Sequence, residues 1–287
     1  MRLHGGKVRV ACLTLAFGLS GGATPAADPA LRINGSTTVN LPVAEAAEIL
    51  RAERGMRITV DTQGGSAGGI SMLADGQIDL GMSSKPVGED DRKRFPTVHF
   101  VETRIGEDAV ALIVSRDVWE VGVRSLTREQ ARGIYEGRLT RWNEVGGADR
   151  RIVFFNKEPG RGTWEVFTHW LYGDSRKAPK VRFPEVGANE ETRNKVASTR
   201  GAVSQLSASW ADGKTVFALA IRTEQGDLIH PVPANIATQR YPLSRPLFLL
   251  SNGPPSGAAR EFVDFLLSPR GQALVRKHGY LSLDQLR

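Results

Sequence analysis

Residues 151–171, RIVFFNKEPGRGTWEVFTHWL, put two cations where a strand gives way to a helix. The apolar run 152–155 is of the β type, and from Thr163 onward Val166, Phe167, Trp170 and Leu171 recur at helical spacing. Lys157 and Arg161 fall in the short glycine-bearing loop between the two. A helix start presents unpaired backbone N–H groups at the positive end of its dipole. With two cationic side chains beside it, such a start can hold a dehydrated anion without covalent chemistry.

Three further loops share the design. Gly35-Ser-Thr-Thr38, Gly64-Gly-Ser-Ala-Gly-Gly69 and Ser83-Ser-Lys85 each follow a β-type run, as Gly160-Arg-Gly-Thr163 does, and each leads into a helix or turn. Glycine admits a ligand close to the backbone, and Ser or Thr hydroxyls add donors. Singly such loops are ordinary capped helix starts. Four of them, one carrying Lys157 and Arg161, point to a shared anion site.

Other chemistries fit less well. A nucleotide-hydrolase phosphate loop needs Gly, four residues, then Gly-Lys-Ser/Thr, and none of the loops has it. Residues 64–68 match G-x-S-x-G, the nucleophile elbow of α/β-hydrolases, with Ser66 as nucleophile and His230 or His278 to close a triad. Only about two strands precede Ser66, no His-Gly-Gly-type segment lies upstream, and the glycine-rich flanks account for the match. The histidines are scattered, with no pair at metal-ligand spacing, so neither a metal nor a cofactor is expected. The tryptophans at 142, 164, 170 and 210 are read as core, Trp142 being the one that could sit at the surface.

The elements that must position these loops alternate. A strand at 31–34, a helix at 43–54, a strand at 57–61, a helix opening at 70–75 and a strand at 78–82 give a βαβα rhythm, hence an α/β fold with much parallel sheet. A β-type run covers 109–114, helices fit 127–135 and 163–172, and 193–209 is helix-like. A proline-punctuated return leads to a strand at 247–250, a helix at 256–267 and a last turn or two to His278.

The chain has 287 residues, enough for about two domains. Its start is basic, with Arg2, His4, Lys7 and Arg9, then apolar over 10–19, then rich in small residues to Ala27. This is the layout of a secretory signal peptide, with cleavage near Ala26 or Ala27. Cys12, the single cysteine, lies within it near the start of the apolar run, so a lipid anchor and a disulfide in the mature chain are not expected. Because the leader carries Arg2, Lys7 and Arg9 and no acid, its removal lowers the net charge from +7 to +4. That mild excess, without a lysine–arginine run, does not suggest nucleic acid. No later stretch is long and apolar enough to cross a membrane.

These residues resemble the periplasmic phosphate-binding proteins of ABC transporters. The resemblance runs through INGSTTV at Ile33, GGSAGGI at Gly64, GQIDLGMSSKP at Gly76, SLTREQARGIYEGRLTRWNEVGG at Ser125, EPGRGTWEVF at Glu158, YPLSRPLF at Tyr241 and FLLSPRGQALVRKHGYLSL at Phe265. It implies the two-lobed type II periplasmic-binding-protein fold, each lobe a mostly parallel sheet flanked by helices, with the ligand cleft between the lobes. Residues 28–108 and 246–287 would form lobe 1 and residues 109–245 lobe 2. It further implies a secreted, periplasmic monomer without enzymatic activity that hands inorganic phosphate to an ABC permease. An oxyanion sensor without a transporter is the alternative. The implied ligand positions are Thr37, Thr38, Ser66, Ser84, Lys157, Arg161, Gly162 and Thr163. Three depart from the family pattern: Lys157 stands where Arg is usual, Arg161 where Ser is usual, and Ser84 where the best-known branch has Asp. A carboxylate at that last place accepts the proton that phosphate carries and sulfate lacks. Glu102 and Glu158 are the acids that could replace it by reaching the site.

Overall fold

The computed structural model describes Met1 and residues 30–286. Apart from Met1, the leader at 1–27, its cleavage point and Cys12 lie outside the described residues.

The chain begins as a βα repeat: β1 (Leu31–Gly35), α1 (Asn40–Arg54), β2 (Ile58–Asp61), α2 (Gly65–Ala74) and β3 (Leu80–Ser83). After α3 (Glu89–Arg94) comes the long β4 (Phe100–Ser115), followed by α4 (Arg116–Glu120), β5 (Ser125–Thr127) and α5 (Arg128–Tyr135). A second run of alternating elements is β6 (Val153–Lys157), α6 (Gly162–Tyr172), β7 (Glu185–Val186), α7 (Asn189–Ser198) and β8 (Ala202–Ser207). The short β9 (Val216–Ala218), β10 (Ala220–Arg222), β11 (Leu228–Ile229) and α8 (Pro233–Ala237) lead to β12 (Ser244–Asn252), α9 (Gly257–Leu267) and α10 (Pro269–Lys277).

Strands run β2-β1-β3-β12-β4-β8-β6-β7, with β9 also on β4. Pairs β1–β2, β1–β3, β6–β8 and β6–β7 are parallel, whereas β12 is antiparallel to both β3 and β4, and β4 is antiparallel to β8. β4 therefore serves both halves: residues 100–109 pair with β12, and residues 110–115 with β8 and β9. The buried cores divide at the same place. One gathers Leu31–Met82 side chains with Ile105 and Leu247–Tyr280; another gathers Ala109–Leu243 with Leu281. Return helices α9 and α10 pack on α1, so the chain's end belongs to the first core.

Several sequence expectations shift. The loop expected at 64–69 is itself the start of α2. This helix lies so close to β1 and β3 that a Cβ on Gly69 would stand 2.8 Å from the Met82 carbonyl oxygen and 3.0 Å from that of Asn34. Its glycines are thus a condition of packing as well as of a turn. The helix expected over 193–209 is half wrong: α7 ends at Ser198, and residues 202–207 form β8. Gly201, at φ +75°, turns the chain, and β8 lies buried between β4 and β6, where ladder hydrogen bonds outweigh helical propensity. Helix α1 starts at Asn40 rather than Val43, and Lys157 ends β6 instead of sitting in the loop. Strand β12 begins at Ser244 and contains Pro246, which stands where β12 has only β4 beside it, next to a register shift at Leu247/Phe248. Trp142 is fully buried, its Nε1 donating to the Gly201 carbonyl, so it is not a surface residue. The helix at 127–135 forms as α5, with Thr127 and Gln130 bonding each other's backbone N–H.

Candidate functional site

All eight sequence-predicted ligand positions line one small cavity: Thr37, Thr38, Ser66, Ser84, Lys157, Arg161, Gly162 and Thr163, joined by Ser36, Gly65 and Asn189. The reason they meet is topological. Thr37 and Thr38 follow the carboxyl end of β1, Ser66 lies in the first turn of α2 after β2, and Ser84 follows β3. Lys157 closes β6, Arg161 to Thr163 open α6, and Asn189 opens α7 after β7. Within each half the strands are parallel, β1, β2 and β3 in one and β6 and β7 in the other, so each half gathers its carboxyl ends on one side, the usual ligand side of an open α/β sheet; the three antiparallel pairings through β12, β4 and β8 turn one set against the other, and the two sets of ends meet at the cavity.

The first wall is made of neutral hydroxyls, nearly all buried. Ser84 N–H donates to Ser66 Oγ (3.1 Å), Ser36 Oγ–H to Ser84 Oγ (3.0 Å), and Ser66 and Ser84 hydroxyls lie 3.4 Å apart. Tyr280 from beyond α10 donates to the Thr38 carbonyl at 2.8 Å and ties the β1–α1 turn to the chain's end.

The second wall is cationic. Lys157 is buried to 1% exposure, and its Nζ donates to the Gly187 carbonyl (2.7 Å) and Thr192 Oγ1 (2.8 Å). Burial, reinforced by the charges of Arg161 and Arg245, lowers its ammonium from the ordinary lysine range to about 7. Arg161 gives Nε and Nη2 to Glu158 Oε2 (3.0 and 2.9 Å), while its Nη1 is buried with no partner among the described residues. Arg161 thus stays at the cavity and does not turn to solvent. The first N–H groups of α6 lack intrahelical partners by geometry.

The walls touch closely. A Cβ on Gly162 would meet Ser84 Oγ at 2.5 Å and Ser66 Oγ at 3.0 Å, so only glycine fits where α6 faces α2. Ala67 N–H donates to the Gly160 carbonyl at 3.2 Å. At the rim, Lys85 reaches Glu165 on α6 at 2.8 Å and Asp91 at 3.3 Å; burial would lower its pKa, but these two carboxylates raise it.

Sequence reasoning missed the residue that ties the walls together. Arg245, 1% exposed, stands opposite Asp108 in the β4–β12 register and donates Nε and Nη2 to Asp108 Oδ2 (3.0 and 2.7 Å). It also donates to Thr38 Oγ1 (3.1 Å), Ser84 Oγ (3.3 Å) and Thr163 Oγ1 (2.9 Å), three of the predicted ligand hydroxyls. The signal was a lone arginine inside the strand-forming run YPLSRPLF and an acid pair, Glu107 and Asp108, heading the apolar run 109–114. Asn189 gave no signal beyond its place at a helix start.

No carboxylate lines the cavity among the described residues. Glu102 accepts from Arg92 and the Val87 N–H, and Glu158 is engaged by Arg161, so neither takes the place of an acid at position 84. Neither His230 nor His278 lines the cavity that holds Ser66; His278 bonds Glu45 at 2.8 Å.

Parallel-strand ends converging on a cavity of hydroxyls, helix starts and cations define an anion-binding α/β protein. The chain belongs to the PBP superfamily, whose domain model matches residues 21–270. It is 27% identical over 266 residues to the phosphate-binding protein PstS of Bacillus subtilis (strain 168), covering 91% of this chain and 83% of that protein. Among solved structures, a putative phosphate ABC transporter substrate-binding protein with bound phosphate from Clostridium perfringens superposes with a TM-score of 0.78 at 26% identity, covering 89% of this chain and all of that one. An ABC-type phosphate transport receptor from Vibrio cholerae superposes with a TM-score of 0.69 at 29% identity, covering 88% and 99%.

Proposed function

We propose that this chain is a substrate-binding protein that holds inorganic phosphate in this cavity and delivers it to an ABC permease. The observation that carries the reading is the buried cluster of donors and cations that no carboxylate in the cavity neutralises. Lys157 Nζ, the unpartnered Arg161 Nη1, the α6 start and the Ser66, Ser84 and Thr163 hydroxyls border a space that only an anion would balance. A buried lysine held only by neutral acceptors and an arginine that Glu158 engages through Nε and Nη2 alone leave cationic donors unmatched, and an oxyanion is the species whose several acceptors match several convergent donors.

In this reading residues 28–108 with 246–287 form one lobe and residues 109–245 the other, and the lobes part to admit and release the anion. The division of the buried cores supports those bounds. The protein acts as a secreted, periplasmic monomer after loss of its leader, and it carries out no reaction of its own. Calorimetry of the mature, anion-stripped protein against phosphate, arsenate, sulfate and molybdate tests the reading. Saturable one-to-one binding of phosphate is expected. Phosphate at about 100 times its dissociation constant should add about 2.7 kcal/mol to unfolding stability. No heat and no rise in melting temperature with phosphate would overturn it.

A further inference from the structure

With phosphate as ligand, the cavity faces a problem of acceptors. Phosphate near neutral pH carries a proton that must be accepted by something, whereas sulfate carries none. The acids nearby are all engaged outside the lining: Asp108 by Arg245 and Ser207, Glu158 by Arg161, Glu191 by the Gly187 N–H and Lys195, Glu165 by Lys85, and Glu102 by Arg92. The acceptor therefore has to be neutral. Hydroxyls cannot discriminate, because each turns to accept from phosphate or to donate to sulfate. Two of them are moreover held as donors. Thr38 Oγ1 accepts from both Arg245 Nη2 and Asn189 Nδ2 (3.1 Å each), and Ser84 Oγ accepts from Arg245 Nη1 (3.3 Å) and Ser36 Oγ (3.0 Å). A hydroxyl with both lone pairs occupied has only its proton left to offer.

An amide oxygen, by contrast, can only accept. Asn189 is buried, lines the cavity, and gives its Nδ2 to Thr38, which leaves its Oδ1 without a protein partner among the described residues. We propose that Asn189 is the residue that separates phosphate from sulfate, its Oδ1 accepting the ligand's proton. In this scheme Arg245, anchored on Asp108, is the positioning residue that holds Thr38 and through it the amide. The assignment rests on the phosphate-binding reading above. It also explains how a chain with Ser84 in place of an acid retains a proton-specific contact. A neutral acceptor left facing sulfate is unpaired but not repelled, so the selectivity it gives is moderate, about ten- to a hundredfold.

The test compares dissociation constants for phosphate, sulfate and monofluorophosphate, a dianion of phosphate's shape without the proton, at one pH near 8 and one ionic strength. Wild-type protein should favour phosphate by about ten- to a hundredfold over both other anions. Asn189→Ala should bring the phosphate-to-sulfate ratio to within about threefold, with phosphate losing most. Asn189→Asp should raise the ratio toward the roughly 10⁴ that a demanding polar contact can reach. Equal weakening of phosphate and sulfate in Asn189→Ala would mean that the amide donates to the anion, and an unchanged ratio that it does not meet the proton; either overturns the assignment. Monofluorophosphate bound by wild-type protein as tightly as phosphate overturns it without any variant. Wild-type protein that binds none of the anions overturns the phosphate reading and this assignment with it.

Discussion

The two walls of the cavity differ in their physics. The wall from β1, α2 and β3 is uncharged: Thr38, Ser66 and Ser84 offer directed hydroxyls, locked to one another and to Arg245. The wall from β6 and α6 carries the charge, with Lys157 buried and short of a carboxylate partner and Arg161 half-paired to Glu158. Neutral hydrogen bonds contribute about 1 kcal/mol each and depend on geometry, whereas charge-assisted ones contribute about 1.5–3 kcal/mol. For the proposed phosphate ligand, the first wall is therefore expected to set shape and the second most of the affinity.

The hardest strike at this contrast is Lys157→Met. Removing a buried, hydrogen-bonded charge should weaken phosphate by about a hundredfold or more, since such truncations cost about 2–5 kcal/mol. The anion-free protein should respond oppositely. Below about pH 7 the native state carries the full cost of a lysine charged against its burial, so at pH 6 the methionine variant should melt no lower than wild type. A lower melting temperature at pH 6 would show that the ammonium holds Gly187 and Thr192 in place more than it waits for a ligand.

Arg161→Ala ranks second. Its Nη1 has no partner among the described residues, and losing a charge-assisted bond to the anion should cost about ten- to a hundredfold in phosphate affinity, read by calorimetry. Unchanged affinity would make Arg161 a partner of Glu158 only and leave Lys157 as the sole charged contact of that wall.

The pH dependence comes third. Lys157 sits at about 7 in the anion-free protein, and a bound anion pulls it upward, so binding above that pH takes up a proton. Sulfate has no proton to lose in this range, so its affinity should fall as pH rises above about 7, by at most about tenfold per unit, and Lys157→Met should flatten the slope. The stability of the anion-free protein should run the other way. The unfolded lysine stays protonated up to its ordinary range while the native one has let its proton go, so unfolding free energy rises with pH across that window. Urea titrations at pH 7 and pH 9 would read the sign.

The smallest expected effect belongs to the neutral wall. Ser66→Ala should weaken phosphate only about three- to tenfold, because one neutral hydrogen bond is lost while Ser84 keeps its other partners. A loss as large as that of Lys157→Met would erase the distinction between the walls.

What the sequence determined by itself was the local part. Small residues at strand ends, Lys157 and Arg161 beside a helix start, and the alternation of apolar runs with helical spacing are properties of neighbouring residues. Each of the eight expected positions indeed comes to the cavity. The helices near Thr127 and Ser256 were legible as well, although only Thr127 caps its helix with a side-chain hydrogen bond. Tertiary structure alone decided the rest. Residues 202–207 became a strand because β4 and β6 flank them, Trp142 was buried by a chain segment 59 residues away, and α2 absorbed its glycine loop because β1 and β3 lie against it. Arg245 joins Asp108, 137 residues earlier, to Thr38, 207 residues earlier, and Asn189 reaches Thr38 from 151 residues away. Local sequence can mark a charge in an apolar run but not name its partner, because the free energy of a buried polar contact depends on which distant groups the closed chain delivers to it.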